Sequence, residues 1–258
     1  MCDRFYTVEH AQRRLQLRYE CPNIRRMNDT SQVLAEKVGP HYDVQQMYVA
    51  RRHTFDAIDA IARQIRAGMT EEDAVALAKA MLKQLGLLRG WHAVYVRFGR
   101  NTLLDYYDTS EPQVVLNEND IFFIDIGPVW EKWEGDGGDT FVLGNDPDML
   151  RAKRDVRVLF DRVQDKWRAD SLSGAALYQY ADAQARELGW RLNLKVAGHR
   201  LGDFPHKAHH SGNLAAANFT PAPDLWVLEM QIKHPERPFG AFYEDLLPET
   251  DPVTTSTD

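Results

Sequence analysis

The most regular apolar pattern begins near Tyr48, where Phe55, Ile58, Ile61 and Ile65 recur every three or four residues up to Gly68. That period predicts an amphipathic helix with one buried face. Thr70 follows, with Asp73 three residues on in a capping-box-like start, and Val75, Ala78, Leu82 and Leu85 make a second apolar stripe closed by Gly86. About 103 residues later the arrangement returns, with Arg66-Ala67 and Leu85-Gly86 matched by Arg168-Ala169 and Leu188-Gly189. A duplicated unit of two helices followed by strands is the natural inference. Residues 121–127 (IFFIDIG) and 140–144 (TFVLG) are β-rich runs joined by a glycine-rich link. Residues 225–232 (LWVLEMQI) and 239–247 (FGAFYEDLL) form a similar pair joined through Pro235 and Pro238. Each half is expected to end in a hairpin.

With 258 residues and 44% apolar content, the chain can bury a substantial core. The domain division read from the pattern is an arm over residues 1–45, one catalytic domain over 46–250 and a frayed tail over 251–258. A net charge of -7 argues against a general affinity for nucleic acid or anionic membranes, which both select clustered Lys and Arg. The only cysteines are Cys2 and Cys21, so a disulfide framework is not expected. The first dozen residues mix charge and polarity, and no run of about 18 apolar residues occurs. A soluble protein of the reducing cytoplasm fits these features.

Four carboxylates break the apolar pattern. Asp125 interrupts the strand IFFIDIG, and Asp136 follows 11 residues later in a glycine-rich segment. Either one alone reads as a structural acceptor or a turn residue. The second pair of strands repeats the anomaly, with Glu229 in LWVLEMQI and Glu244 in AFYEDLL. Between the pairs lies His199, flanked by Gly198 and followed by Gly202 and His206. Four carboxylates and one imidazole suit two divalent cations of the Mn, Fe or Co type, with Zn also compatible. Two cations sharing carboxylates can acidify a bridging water and polarise a carbonyl, which makes a hydrolytic centre.

The motifs Ile124-Asp125-Ile126-Gly127, Gly135-Asp136 leading to Thr140-Phe141, Gly198-His199 with His206 seven residues on, and the pair Glu229 and Glu244-Asp245 resemble the pita-bread metallopeptidases. That family includes methionine aminopeptidase, aminopeptidase P and prolidase, with creatinase as a relative, and the resemblance covers roughly residues 48–248. It implies an α/β (α+β) fold with a curved, mainly antiparallel sheet, helices outside, and two pseudo-symmetric halves with the metal site between them. It also implies metal ligation by Asp125, Asp136, His199, Glu229 and Glu244. Glu229 would further exchange a proton with the bridging water, and His206 would bind the substrate carbonyl or its oxyanion, a second-shell position being the alternative.

The chain departs from the family in places. Relatives carry a His shortly before the first Asp strand, whereas residues 101–108 contain none, and His92 lies 33 residues before Asp125. His92 is expected to enter the cleft, contacting substrate or protonating the departing amine. In the opposing reading Trp91-His92 packs a loop, and Tyr106, Tyr107 or solvent fills the gap. Met230 replaces a Pro, and Ala241-Phe242-Tyr243 lacks an Arg, changes expected to alter the walls that choose the substrate. The expected activity is an aminopeptidase or dipeptidase, Xaa-Pro or prolidase-like, acting on short peptides. A creatinase-like hydrolase of a small non-peptide C–N bond and a metal-free binding module are the alternatives. A homodimer is a candidate assembly, and the substrate is a short peptide or small-molecule amide.

Overall fold

The computed structural model describes residues 32–205 and 212–250. The first apolar stripe folds as helix α1, Val44–Ala62, which buries Met47, Ala50, Thr54, Ala57, Ile58 and Ile61 along one face. It starts at Val44 because the Asp43 carboxylate caps the Gln45 amide, and it ends before Gly68, whose φ of 88° belongs to the turn beyond. Helix α2, Glu71–Gln84, is capped by the Thr70 hydroxyl, and its acidic first turn suits the positive end of the helix dipole. Its buried stripe is Ala74, Ala78 and Leu82. Leu85, assigned to that stripe from sequence, is 53% exposed, because it is the C-cap and the chain turns away there.

The pattern recurs in α3, Pro147–Asp170, and α4, Gly174–Glu187. Ser173 caps α4 at the place Thr70 holds for α2, and Gly86 and Gly189 both take positive φ after their helices. Two positions, 103 residues apart in each case, therefore do the same backbone work in both halves.

The strands are β1, Tyr95–Phe98; β2, Asp120–Ile126; β3, Val129–Trp130; β4, Trp133–Glu134; β5, Gly137–Leu143; β6, Arg191–Leu192; β7, Val227–Lys233; and β8, Gly240–Leu246. Six form an antiparallel sheet in the order β1-β2-β5-β8-β7-β6, so each half contributes three strands and the halves join at β5–β8. The apolar pattern predicts a hairpin in each half, and β1 and β6 extend each to three strands. β3 and β4 make a two-stranded ribbon inside the glycine-rich link.

One face of the sheet is apolar and covered by helices. Val96, Phe98, Phe122, Ile124 and Ile126 pack with Ile58, Ile61, Ala78 and Leu82 from α1 and α2. Leu228, Met230, Ile232, Ala241 and Tyr243 pack with Leu159, Phe160, Val163 and Leu177 from α3 and α4. Strand alternation then sends Asp125, Glu229 and Glu244 to the opposite face. Residues 35–37 dock on the second half: the Arg200 guanidinium donates to the Ala35 and Lys37 carbonyls, and Glu36 accepts from the Ala222 amide and the Trp226 indole.

Candidate metal centre

Strand register brings the acids together. Tyr95, Asp125, Gly138, Glu244 and Glu229 are successive cross-strand partners, a single row over five strands. Paired positions present side chains to one face, so three carboxylates distant in sequence converge, with the side-chain-free Gly138 between Asp125 and Glu244. Asp136 joins from the residue before β5 and is 1% exposed. Tyr178 in α4 holds the row at Glu229, where its hydroxyl donates to the Glu229 carbonyl at 3.0 Å and accepts from the Glu229 amide at 3.3 Å.

His199 arrives on a segment laid along the start of β7, where the Val227 amide donates to the His199 carbonyl at 2.9 Å. That approach requires Gly198, since a Cβ there would lie 2.0 Å from the Val227 carbonyl oxygen. The ring Nδ1 sits 3.1 Å from the Arg200 carbonyl, which assigns the proton to Nδ1 and presents Nε2 to the acids. Nε2 lies 2.8 Å from Asp136 Oδ2 and 3.6 Å from Glu229 Oε1.

His92 lies just ahead of β1, whose first residue pairs with Asp125, and its Nε2 is 3.6 Å from Asp125 Oδ1. One ligand atom from each of His92, Asp125 and Asp136 falls within 4.8 Å of the others. Gly127 makes the space: a Cβ on it would sit 2.4 Å from the His92 Cβ and 2.8 Å from the Trp91 ring. The structure thus brings together Asp125, Asp136, His199, Glu229, Glu244 and His92. His206 lies outside the described residues, as do Cys2, Cys21, His209 and His210.

Asp125, His199, Glu229, Glu244 and His92 line a cavity of about 370 Å3, together with Trp91, Tyr95 and Tyr106. Tyr95 went unnoticed in the sequence, and only its place in the acidic row marks it. The expected role of Met230 and Tyr243 as substrate walls is corrected here, because both point into the helix-side core together with Ala241. Phe242 alone of that stretch faces the site. Trp130 stacks on His53 with centroids 4.0 Å apart, and Trp133 donates to the His41 carbonyl, so both are packing residues.

The donor set fits divalent cations. Asp125 Oδ1, Asp136 Oδ1 and Glu244 Oε1 are buried with no hydrogen-bond donor among the described residues. Unpaired buried carboxylates of this kind are costly unless a cation compensates them. Without one they repel. Burial, with Asp136 opposing His92, raises Asp125 to about 6. Burial and the charges of Asp125 and Asp136 outweigh His199 to raise Glu229 to about 7 and, joined by Glu229, push Glu244 well above its usual range. Asp136 goes the other way, because His92 and His199 overcome its burial. Against its own burial, His199 is raised to about 10 by Asp136 and Glu229. Protons thus occupy a site whose chemistry suits metal ions.

A model of metallopeptidase family M24 matches residues 45–248, and the chain belongs to that family. The fold is similar to that of X-Pro aminopeptidase from Thermotoga maritima MSB8, with a TM-score of 0.66, 20% identity, and 87% of this chain and 65% of that one covered. It is similar to prolidase from Pyrococcus horikoshii OT3, with a TM-score of 0.66, 17% identity, and coverage of 86% and 64%. Methionine aminopeptidase from Thermotoga maritima gives a TM-score of 0.61 at 15% identity, covering 82% of this chain and 95% of that one. The chain thus spans 65% and 64% of the length of the first two. The comparison with curated proteins found no match. The mixed α/β architecture with its mainly antiparallel sheet is that of the pita-bread enzymes. Among the described residues, no helix is long and apolar enough to cross a membrane.

Proposed function

We propose that Asp125, Asp136, His199, Glu229 and Glu244 hold two divalent cations and that the protein hydrolyses short peptides near their amino terminus, in the manner of an Xaa-Pro aminopeptidase or prolidase. The observation that carries this reading is the row of buried, unpaired carboxylate oxygens beside a cavity of substrate size. The oxygen-rich set favours Mn, Fe or Co. When bound, the ions supply an acidified water and a Lewis acid for the substrate carbonyl.

The chain's own groups do the rest. Glu229, which lines the cavity beside the other acids, takes and returns a proton. His92 stands across the row from Glu229 and donates a proton to the departing amine, its ring held between Gly127 and Trp91. By its motif, His206 orients the carbonyl. His199 is fixed by the Arg200 carbonyl, which keeps Nε2 directed inward. Trp91 and Tyr95 flank the cavity and exclude water from the reacting bond. With Cys2 and Cys21 as its only cysteines, the protein suits a reducing, cytoplasmic setting.

A panel of Met-, Xaa-Pro- and Pro-terminated peptides assayed with added Mn or Co tests the reading. Release of the amino-terminal residue, abolished by chelation and restored by metal, is expected. No cleavage of any peptide under metal loading overturns it.

A further inference from the structure

Next to the acidic row on the same face of the sheet runs a second one. Arg97 pairs with Phe123, Phe123 with Thr140, and Phe242 with Gln231, each two residues along its strand from the first row. Two residues of strand span about 7 Å, a distance an extended acidic side chain or terminal carboxyl on a residue flanking the cut bond can approach. Arg97 is the cation of this row and is 3% exposed. One terminal nitrogen donates to the Asp105 and Asp108 carbonyls at 2.9 and 3.1 Å. The other, NH1, is buried with no hydrogen-bond partner.

Arg97 lines a slot of about 20 Å3 that borders the main cavity at Tyr95, Tyr106, Asp125 and Glu229. Phe123, Phe242 and Val196 form an apolar cluster along it. A space of that size admits an oxygen atom with its attached carbon but no bulky apolar group. The Asp105 carboxylate on the wall is turned elsewhere: it accepts from the Tyr107 amide at 2.9 Å and faces Lys195 Nζ at 3.4 Å. Gln231 is saturated, donating to the Thr102 and Leu104 carbonyls and accepting from Asn193.

We infer that the slot ending at Arg97 is a carboxylate receptor, so that the preferred substrates carry an anionic group about one residue from the bond that is cut. This rests on the hydrolytic reading above and adds a substrate class to it. Glu71, Asp125 and Asp108 act on Arg97 through charge, but none of them hydrogen-bonds NH1, and a substrate carboxylate provides that missing acceptor. The apolar cluster beside it lowers the local dielectric and strengthens that contact. Two sources offer the same chemistry: an acidic side chain on the amino-terminal residue, or the free carboxyl of a dipeptide.

Two matched substrate pairs separate these sources, each built on the best-cleaved peptide of the panel. The first places Glu or Gln at the amino terminus of an otherwise identical peptide amide, and the second compares a dipeptide acid with its amide. In the metal-loaded wild type the acidic member of one pair is expected to show a kcat/KM higher by about 10- to 100-fold, the worth of one charge-assisted hydrogen bond. Which pair responds identifies the source. Arg97→Gln should erase the preference while leaving the neutral member's kcat/KM within a few-fold, and Arg97→Lys should restore part of it. If Arg97 only braces residues 105–108, acidic and neutral members fall together in the variant. Ratios near one for both pairs in the wild type overturn the inference even where Arg97→Gln fails to fold. Displacement calorimetry with the same ligands on metal-loaded protein reads the ratios without turnover, so loss of peptidase activity and loss of carboxylate preference are told apart.

Discussion

Gly127→Ala probes the placement of His92 with a single methyl group. The added Cβ would stand 2.4 Å from the His92 Cβ, 2.7 Å from its Cγ and 2.8 Å from the Trp91 ring. Carbon atoms in contact rest at about 3.5–4.0 Å, so the histidine must retreat by roughly 1 Å. Its Nε2 now lies 3.6 Å from Asp125 Oδ1, so such a shift is a large part of its distance from the acidic row. A displacement of about 1 Å in a reacting group can cost on the order of 10²-fold in rate. Overpacking adds about 1–3 kcal/mol of destabilisation, or roughly 2–4 °C in Tm for each kcal/mol in a domain of this size. The expected outcome is a fall in kcat of about 100-fold with metal content unchanged, because none of the five proposed ligands is displaced. His92→Ala should fall by a similar factor, and the double variant should be no worse than His92→Ala alone, since both act through one ring. Steady-state kinetics with elemental analysis on the three variants gives the result. Wild-type kcat in Gly127→Ala, or additive losses in the double variant, would refute the reasoning.

Metal-free protein should lose stability as pH rises from about 4 to 10, a trend readable by thermal melts in chelator. Asp125 and Glu229 titrate higher folded than unfolded, at about 6 and about 7, so their contribution is full at low pH and lost as pH passes through those values. His199, raised to about 10, adds to the loss at higher pH, whereas the lowered Asp136 opposes it only in acid. For Glu229 taken alone the swing is on the order of 3 kcal/mol, and divalent metal should raise Tm more at pH 8 than at pH 5; a flat metal-free profile contradicts the site's electrostatics. Tyr178→Phe should cost about 1–3 kcal/mol by leaving two buried backbone groups of Glu229 unpaired, measured by chemical denaturation, and an unchanged midpoint would deny the hydroxyl that role.

Much of the site was written in the sequence as contradiction: a carboxylate within an apolar strand is conspicuous because burial penalises it. The helix pairs were visible through capping residues and terminal glycines, which are local signals. Strand β1 was not visible. Val96 and Phe98 face the helices while Tyr95 and Arg97 face the site, and four residues are too few for that alternation to stand out. Without β1, the reach of His92 to Asp125 could not be inferred, because a separation of 33 residues is closed only by the β1–β2 pairing. Strands of two residues, such as β6, carry no periodicity at all. The close approaches at Gly127 and Gly198 are likewise tertiary facts, since nothing local distinguishes these glycines from turn residues. Substitutions at Met230 and Tyr243 looked like changes to a substrate wall until alternation placed both against α3 and α4.

Metal stoichiometry tests the central claim most directly. Elemental analysis after loading with Mn or Co, followed by removal of excess ion, should give about two ions per chain in the wild type and about one in Asp136→Ala, with hydrolysis lower by several orders of magnitude. A wild-type chain that retains no divalent metal, or an Asp136→Ala variant with unchanged stoichiometry, would contradict the assignment of these acids to a metal centre.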